Sequence, residues 1–289
     1  MQINKISLVG TTQGGREFEI ERLFKSLIGT SDFLEVIFVD QSQTRLLDKI
    51  VDDYRDLINI KLIRSDKVSL SKARNIALRN VTGNVIAFCD DDAYYSAEVL
   101  KFICNNIKPG IVFSCKVIDG NSMESYGNRK YPKHNTLLNH LGIIKYSLSV
   151  GVFCHFDKSI IGQDYILFDE RLGVGTDLGG SEETEYLFRL MRLGMEVRFV
   201  NDIFVFHDND KVLCDKNLAS LASKYHKYAI GYAVVIREYF ISSFGLLGLE
   251  FLRVFFRSLI GLLFAEKRTV CIARLRGLLK GLTISLKKV

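Results

Sequence analysis

The chain has 289 residues, 48% of them hydrophobic and 25% charged, with a net charge of +6. This composition excludes a disordered or fibrous chain and is enough for one large domain plus an appendage. Six scattered cysteines (Cys89, Cys104, Cys115, Cys154, Cys214 and Cys271) form no Cys-x-x-Cys pair, which speaks against a zinc site and for reduced thiols in a cytosolic protein. The apolar part of the amino terminus is too short for a signal peptide.

Ile6 to Val9 reads as a first strand, ending at Gly10-Thr11-Thr12. Ile20, Leu23, Phe24, Leu27 and Ile28 then follow the spacing of one helix face. Val36 to Val39 is a second apolar run, closed by Asp40-Gln41-Ser42, and Leu46, Leu47, Ile50, Val51 and Tyr54 make a second helical stripe. Ile60 to Ile63 is a third strand, and Leu70, Ala73, Ile76 and Ala77 mark a third helix. Val85 to Cys89 is an apolar run suited to a buried strand. This alternation predicts right-handed crossovers and a largely parallel sheet, an α/β fold. The polar strand ends, Thr11, Asp40 and Asp90 to Asp92, should line one edge, where a nucleotide would lie. Gly14-Gly15 gives no Gly-x-Gly-x-x-Gly fingerprint, so a dinucleotide site is not expected.

Three adjacent acids, Asp90, Asp91 and Asp92, repel one another and are hard to desolvate unless a cation sits among them. Hard oxygen ligands of this kind suit Mg²⁺ or Mn²⁺, ions that commonly hold substrate phosphates. The alternative is a solvated acidic turn. Further on, Ala97, Leu100, Ile103 and Cys104 read as a helix and Ile111 to Val117 as a strand. Residues 119 to 145 read as a long loop, and Val150 to Phe156 as another strand. A glycine-rich stretch after Phe168 leads to Ser181, a candidate helix N-cap, with Glu182 and Glu183 in the first turn. Val197 to Val200 and Ile203 to Phe206 read as two short strands, the second ending at His207.

Basic charge gathers in the tail, where ten basic residues face three acidic ones from Arg237 onward. Phe240 to Phe264 is apolar apart from a stripe of Ser243, Glu250, Arg253, Arg257 and Gly261. Those charges argue against a membrane span and for a helix lying in the interface of an anionic membrane. A helical cap packed on the domain is the alternative. No nucleic-acid partner is expected.

Four blocks together resemble the family 2 glycosyltransferases, inverting enzymes of the GT-A fold. They are the Ile6 to Thr12 strand, Val36-Ile-Phe-Val-Asp-Gln-Ser42, Leu70-Ser-Lys-Ala-Arg-Asn-Ile-Ala77 leading into Phe88-Cys-Asp-Asp-Asp-Ala93, and Phe168-Asp-Glu-Arg through Ser181-Glu-Glu-Thr-Glu185 to His207. The resemblance implies a GT-A domain over 1–210, and the charge and apolar pattern beyond it leaves a helical membrane-associating tail over 211–289. It implies that Asp90 and Asp92 bind a metal ion and the donor diphosphate, with His207 closing the metal site or standing as an ordinary histidine at a strand end. Thr11, Asp40 and Gln41 fall at the donor-base pocket, although Gln41 replaces a frequent aspartate. Asp90 or Asp91 would hold metal-bound water or the ribose, Asp92 being the direct metal ligand, and Arg74 would make a donor-side contact. Glu183 falls at the general base, with Glu182 beside it; the family usually has Glu-Asp there.

Such an enzyme needs a carboxylate to deprotonate the acceptor hydroxyl, worth roughly 10²–10⁴-fold, and a divalent ion on the leaving diphosphate. The implied partners are a nucleotide-sugar donor and a glycan or lipid-linked acceptor, as in bacterial surface polysaccharide synthesis, on the cytoplasmic face of the cell membrane. Two alternatives are a sugar nucleotidyltransferase, of which Gln13-Gly14-Gly15-Arg16 is only a faint echo, and a membrane-bound partner that keeps the fold without turnover.

Overall fold

The computed structural model describes residues 4–157, 164–209 and 218–284; Cys214, Lys287 and Lys288 lie outside the described residues. The elements run β1 (Ile6–Thr12), α1 (Glu17–Ser26), β2 (Leu34–Asp40), α2 (Leu46–Tyr54), β3 (Asn59–Arg64), α3 (Leu70–Leu78), β4 (Val85–Cys89), β5 (Ala93–Tyr94), α4 (Ala97–Asn106) and β6 (Ile111–Ile118). They continue through β7 (Thr136–Leu137), α5 (His140–Tyr146), β8 (Val152–His155), α6 (Glu182–Arg192), β9 (Glu196–His207), α7 (Leu218–Glu238), α8 (Leu246–Gly261) and α9 (Ala265–Thr283). This is an α/β fold of the GT-A type. Along the sheet the order is β3-β2-β1-β4-β8-β6-β9-β5, with β7 beside β9.

The first four strands are parallel, as repeated strand–helix crossovers require. Beyond β4 the sheet is mixed: β8 runs antiparallel to β4 and β6, while β6 and β9 are parallel. Strand alternation divides the core in two. Leu8, Val36, Phe38, Val85 and Ala87 join one cluster with α1 and α4. Their neighbours Val9, Ile37, Val39, Ile86 and Phe88 join the other with α3, α6 and α7, as the two-residue period of a strand dictates.

Several expectations change. The two short strands after Met195 are one strand, β9. A register shift opposite Cys115 and Lys116 accommodates Asn201 to Ile203 between Val200 and Phe204, and this polar bulge imitates a turn in sequence. The expected long loop at 119–145 contains β7 and all but the last residue of α5, whose cap is Asn139 accepting from the Gly142 N–H at 2.9 Å. Ile28 of the first helical stripe is exposed, because α1 ends at Ser26.

The boundary at residue 210 does not separate α7 from the domain. Ile230, Val234, Val235 and Ile236 belong to the main core, and Tyr239 donates a hydrogen bond to Glu185 at 2.9 Å. Gly231 lies so close to the carbonyls of Leu178 and Gly180 that a Cβ would sit 2.3 and 2.5 Å from them. Most unexpected is α8. The stripe positions Ser243, Glu250 and Gly261, together with Ser258 and the apolar Leu247, are buried against the protein, while Arg253 and Arg257 and the apolar Leu249, Leu252, Phe256 and Ile260 face out.

Candidate active site

The acidic turn after β4 lies at the carboxyl edge of the sheet. β5 follows it directly and pairs antiparallel with the end of β9, placing Ala93 opposite His207. Residues distant in sequence thereby meet. Asp90 Oδ2 lies 3.5 Å and Asp92 Oδ1 3.2 Å from the same atom, His207 Nε2. The other ring nitrogen, Nδ1, is 2.8 Å from the Asp208 carbonyl. Both nitrogens face acceptors, so both carry protons. Burial alone would lower the histidine pKa, but the hydrogen bond to Asp90 and the charges of Asp90 and Asp92 outweigh it and raise it to about 9.

The three carboxylates fare differently. Burial pushes Asp90 upward, yet His207 and Arg74 prevail and hold it below its ordinary value. Asp92 stays raised by burial, offset only in part by His207 and Arg16; Arg16 stands 3.2 Å from Asp92 Oδ2. Asp91 is pushed up to about 6 by burial, although the Thr12 hydroxyl donates to it at 2.7 Å.

Arg74 projects from α3 with 2% of its surface exposed. It donates to Asp90 Oδ1 at 3.0 Å and to the Ser149 hydroxyl at 3.3 Å. Its guanidinium lies near the Phe88 and Phe168 rings, 5.8 and 5.4 Å from their centroids. The Nη1 group has no hydrogen-bond partner among the described residues and lies 3.9 Å from Glu182 Oε1.

α6 supplies the opposite wall. Ser181, expected to cap it, has a left-handed backbone (φ 66°) and makes no side-chain cap bond. Burial and the neighbouring Glu183 charge raise the Glu182 pKa. Glu183 accepts the Ser149 N–H at 2.8 Å through one oxygen. The glycine-rich approach to this helix is tied to α3 by the Ser71 hydroxyl donating to the Leu172 carbonyl at 2.7 Å. Gly173, at φ 103°, would bring a Cβ within 2.6 Å of that hydroxyl oxygen, so this turn requires glycine. A cleft of about 460 Å³ results, lined by Arg74, Asp90 and His207 on one side, Glu182 and Glu183 on another, and Tyr126, Tyr228 and Tyr232.

The expected base pocket lies at the ends of β1 and β2. Asp40 is fully buried, accepting from the Ser42 N–H at 2.7 Å and pairing with Arg64. Gln41 accepts the Val68 N–H at 2.8 Å. These contacts shape the loops around a 560 Å³ cavity lined by Ser42 to Arg45 and Arg64 to Asp66. Within Gly10-Thr11-Thr12, the hydroxyl that reaches the aspartates is that of Thr12, while Thr11, expected at the base pocket, points to the other face of the strand.

Among the described residues no group of three or more His, Cys, Asp and Glu side chains is arranged to hold a metal ion. The donor set nonetheless suits a hard cation, since two carboxylates converge on one position where a protonated imidazole already sits. Mg²⁺ characteristically uses one or two carboxylates with substrate phosphates and water completing its shell.

Sequence reading missed Arg16, Arg22 and Ser149. Arg22 donates to the Asp92 carbonyl at 3.0 Å and pairs with Asp208 at 2.9 Å, and it stacks on Tyr94. Arg16 follows Gly14-Gly15 directly after β1, the only local hint of its place; Ser149 carries none.

Residues 15–165 match the family model described as Glycosyl transferase family 2. Over 183 residues the chain is 29% identical to poly(ribitol-phosphate) beta-N-acetylglucosaminyltransferase TarS of Staphylococcus aureus, covering 60% of this chain and 31% of that protein. It thus spans about a third of the length of that curated relative. Among solved structures, the 1–349 portion of S. aureus TarS in complex with UDP-GlcNAc superposes with a TM-score of 0.56 at 24% identity, covering 80% of this chain and 66% of that one. The mannosyltransferase PcManGT from Pyrobaculum calidifontis, in complex with GDP-Man and Mn²⁺, superposes with a TM-score of 0.59 at 13% identity, covering 98% of this chain and 88% of that one. These superpositions show the shared fold. With more than half of its length matched by the family model, this chain belongs to glycosyl transferase family 2.

Proposed function

We propose that the protein is an inverting glycosyltransferase moving a sugar from a nucleotide-sugar to a hydroxyl of a glycan or lipid-linked acceptor in bacterial surface polysaccharide synthesis. The observation that carries the reading is that one cleft is lined both by the strand-end group Asp90 and His207 and by Glu182 and Glu183 of α6. Leaving-group stabilisation and hydroxyl deprotonation therefore share one space. Support for the donor class and the polymer comes from the likeness to TarS; support for a divalent ion comes from the Mn²⁺-bound fold neighbour.

In this reading the donor base lies by the Asp40 and Arg64 loops and the diphosphate by Asp90 to Asp92. Asp90 and Asp92 would hold Mg²⁺ or Mn²⁺, which supplies Lewis-acid stabilisation of the leaving diphosphate. Arg16 and Arg74 add fixed positive charge beside the same carboxylates. Glu183 takes the proton of the acceptor hydroxyl as its oxygen attacks the anomeric carbon. The bond from that carbon to the diphosphate oxygen breaks on the opposite face, its electron pair leaves with the nucleoside diphosphate, and the configuration inverts. Hydrogen bonding to the Ser149 N–H holds one Glu183 oxygen and orients the other.

Screening UDP- and GDP-sugars with Mn²⁺ for slow hydrolysis, or for thermal stabilisation, tests the proposal. The expected result is one preferred donor, with hydrolysis lost in excess EDTA. Stabilisation by no nucleotide-sugar, or full activity in EDTA, would overturn the corresponding part.

A further inference from the structure

The transfer reaction leaves α8 unexplained. Its buried side carries Leu247, Ser258 and Glu250, the last paired with the exposed Arg253, whereas its outer side carries Leu249, Leu252, Phe256 and Ile260, followed by Leu263, all exposed. These five recur every three or four residues and form one continuous stripe. The loop before it adds Ile241 and Phe244, 88% and 96% exposed, and Phe244 is held at φ 51°. A water-facing helix normally keeps its outer side polar, and an apolar patch of this kind marks an interaction surface.

Charge identifies what covers it. Arg253 and Arg257 flank the stripe on α8, and Lys267 and Arg268 follow at the start of α9. Arg257 also lines, with Arg253 and Arg274, a 290 Å³ groove between α7, α8 and α9 that is otherwise largely apolar. Of the nearby acids, Glu250 is already paired and buried, which leaves Glu266 against this cationic rim. A second copy docked through the same face would set like charges against each other. No helix of the described residues is long and apolar enough to cross a membrane. We propose that this face seats the chain on an anionic lipid surface, the α8 stripe and the Phe244 loop entering the acyl boundary while Arg257, Lys267 and Arg268 meet lipid phosphates. Hydrophobic insertion and charge attraction both contribute, so binding weakens with salt without vanishing.

The test is co-sedimentation of the full chain with vesicles of phosphatidylcholine alone and of phosphatidylcholine with phosphatidylglycerol. The wild type is expected to partition onto the anionic vesicles. The triple variant Leu252→Glu, Phe256→Glu, Ile260→Glu is expected to lose binding at least ~10-fold. Arg257→Glu with Lys267→Glu is expected to remove the preference for anionic vesicles and the salt dependence. All substituted side chains are exposed, and unchanged melting temperatures verify folding. Equal partitioning of wild type and both variants, or self-association in ultracentrifugation that the triple variant abolishes without any vesicle binding, would overturn the proposal. The readout is binding, so it stands or falls separately from the transfer reaction.

Discussion

The two edges of the sheet treat carboxylates in opposite ways. At the amino edge, Glu35 of β2 accepts from the Ser7 hydroxyl, from the Thr82 N–H and hydroxyl at 2.7 Å each, from the Gly83 N–H at 3.2 Å and from Lys5 at 3.0 Å. Burial would raise its pKa, but these donors outweigh burial and hold it below the ordinary value. At the carboxyl edge, Asp91 has one hydroxyl donor and rises to about 6, while Asp92 is raised although His207 and Arg16 stand beside it. The amino edge surrounds its one carboxylate with donors, whereas at the carboxyl edge Asp90 is compensated by His207 and Arg74 but Asp91 and Asp92 are not. A structural carboxylate is recognised by its complete set of partners; a set left incomplete at strand ends marks where a cationic ligand belongs.

The largest effect that would sharpen this contrast is on turnover. Asp92→Ala is expected to lower kcat at least ~10³-fold, several kcal/mol of leaving-group stabilisation, while the protein remains folded. Glu183→Gln is next, with a loss of ~10²-fold or more and donor binding retained; a mild Glu183→Gln beside a damaging Glu182→Gln would move the base by one residue. At the opposite edge, Glu35→Gln should leave kcat alone and destabilise by about 2 kcal/mol, because an amide NH₂ would face the donors that now meet an oxygen. The depressed native pKa of Glu35 fixes the sign: its contribution is complete above the ordinary value of 4.5 and disappears as pH falls through the lower native value. Denaturant unfolding at pH 7 and at pH 3 would show the penalty shrinking with acid.

The smallest effect carries the opposite sign. Asp91→Asn is expected to stabilise the metal-free protein at pH 8 by on the order of 1 kcal/mol, since the amide keeps an acceptor for Thr12 and removes a poorly solvated charge. Because the native pKa is raised to about 6, the wild type takes up this proton itself as pH falls. The advantage should therefore fade between pH 6 and pH 4, which thermal melts in EDTA would measure. A destabilising Asp91→Asn would erase the distinction between the edges.

Much of this was legible in the sequence. The strands β1, β2 and β4 are apolar runs ended by polar residues, so Asp40, Asp90, Asp91 and Asp92 announced an edge before any coordinates. His207 announced itself in the same way at the end of β9. Arg16, Arg22 and Ser149 did not, because their contacts exist only once β5 pairs with β9 and the turn before β8 meets α6. The seven residues of α5 are too few to establish a period. In α8 the periodicity marked a polar stripe, but tertiary packing splits it: Glu250 and Ser258 turn inward beside Leu247, while Arg253 and Arg257 stay exposed alongside Leu252, Phe256 and Ile260.

The most direct measurement compares thermal unfolding of wild type, Asp92→Ala and Glu35→Gln with EDTA, with Mn²⁺, and with Mn²⁺ plus UDP or GDP. If the carboxyl-edge aspartates are the incomplete set that a cation and a diphosphate complete, wild type and Glu35→Gln gain the same increment in Tm from Mn²⁺ with the preferred nucleotide, and Asp92→Ala gains none. An equal increment in Asp92→Ala, or none in wild type with either nucleotide, would contradict it.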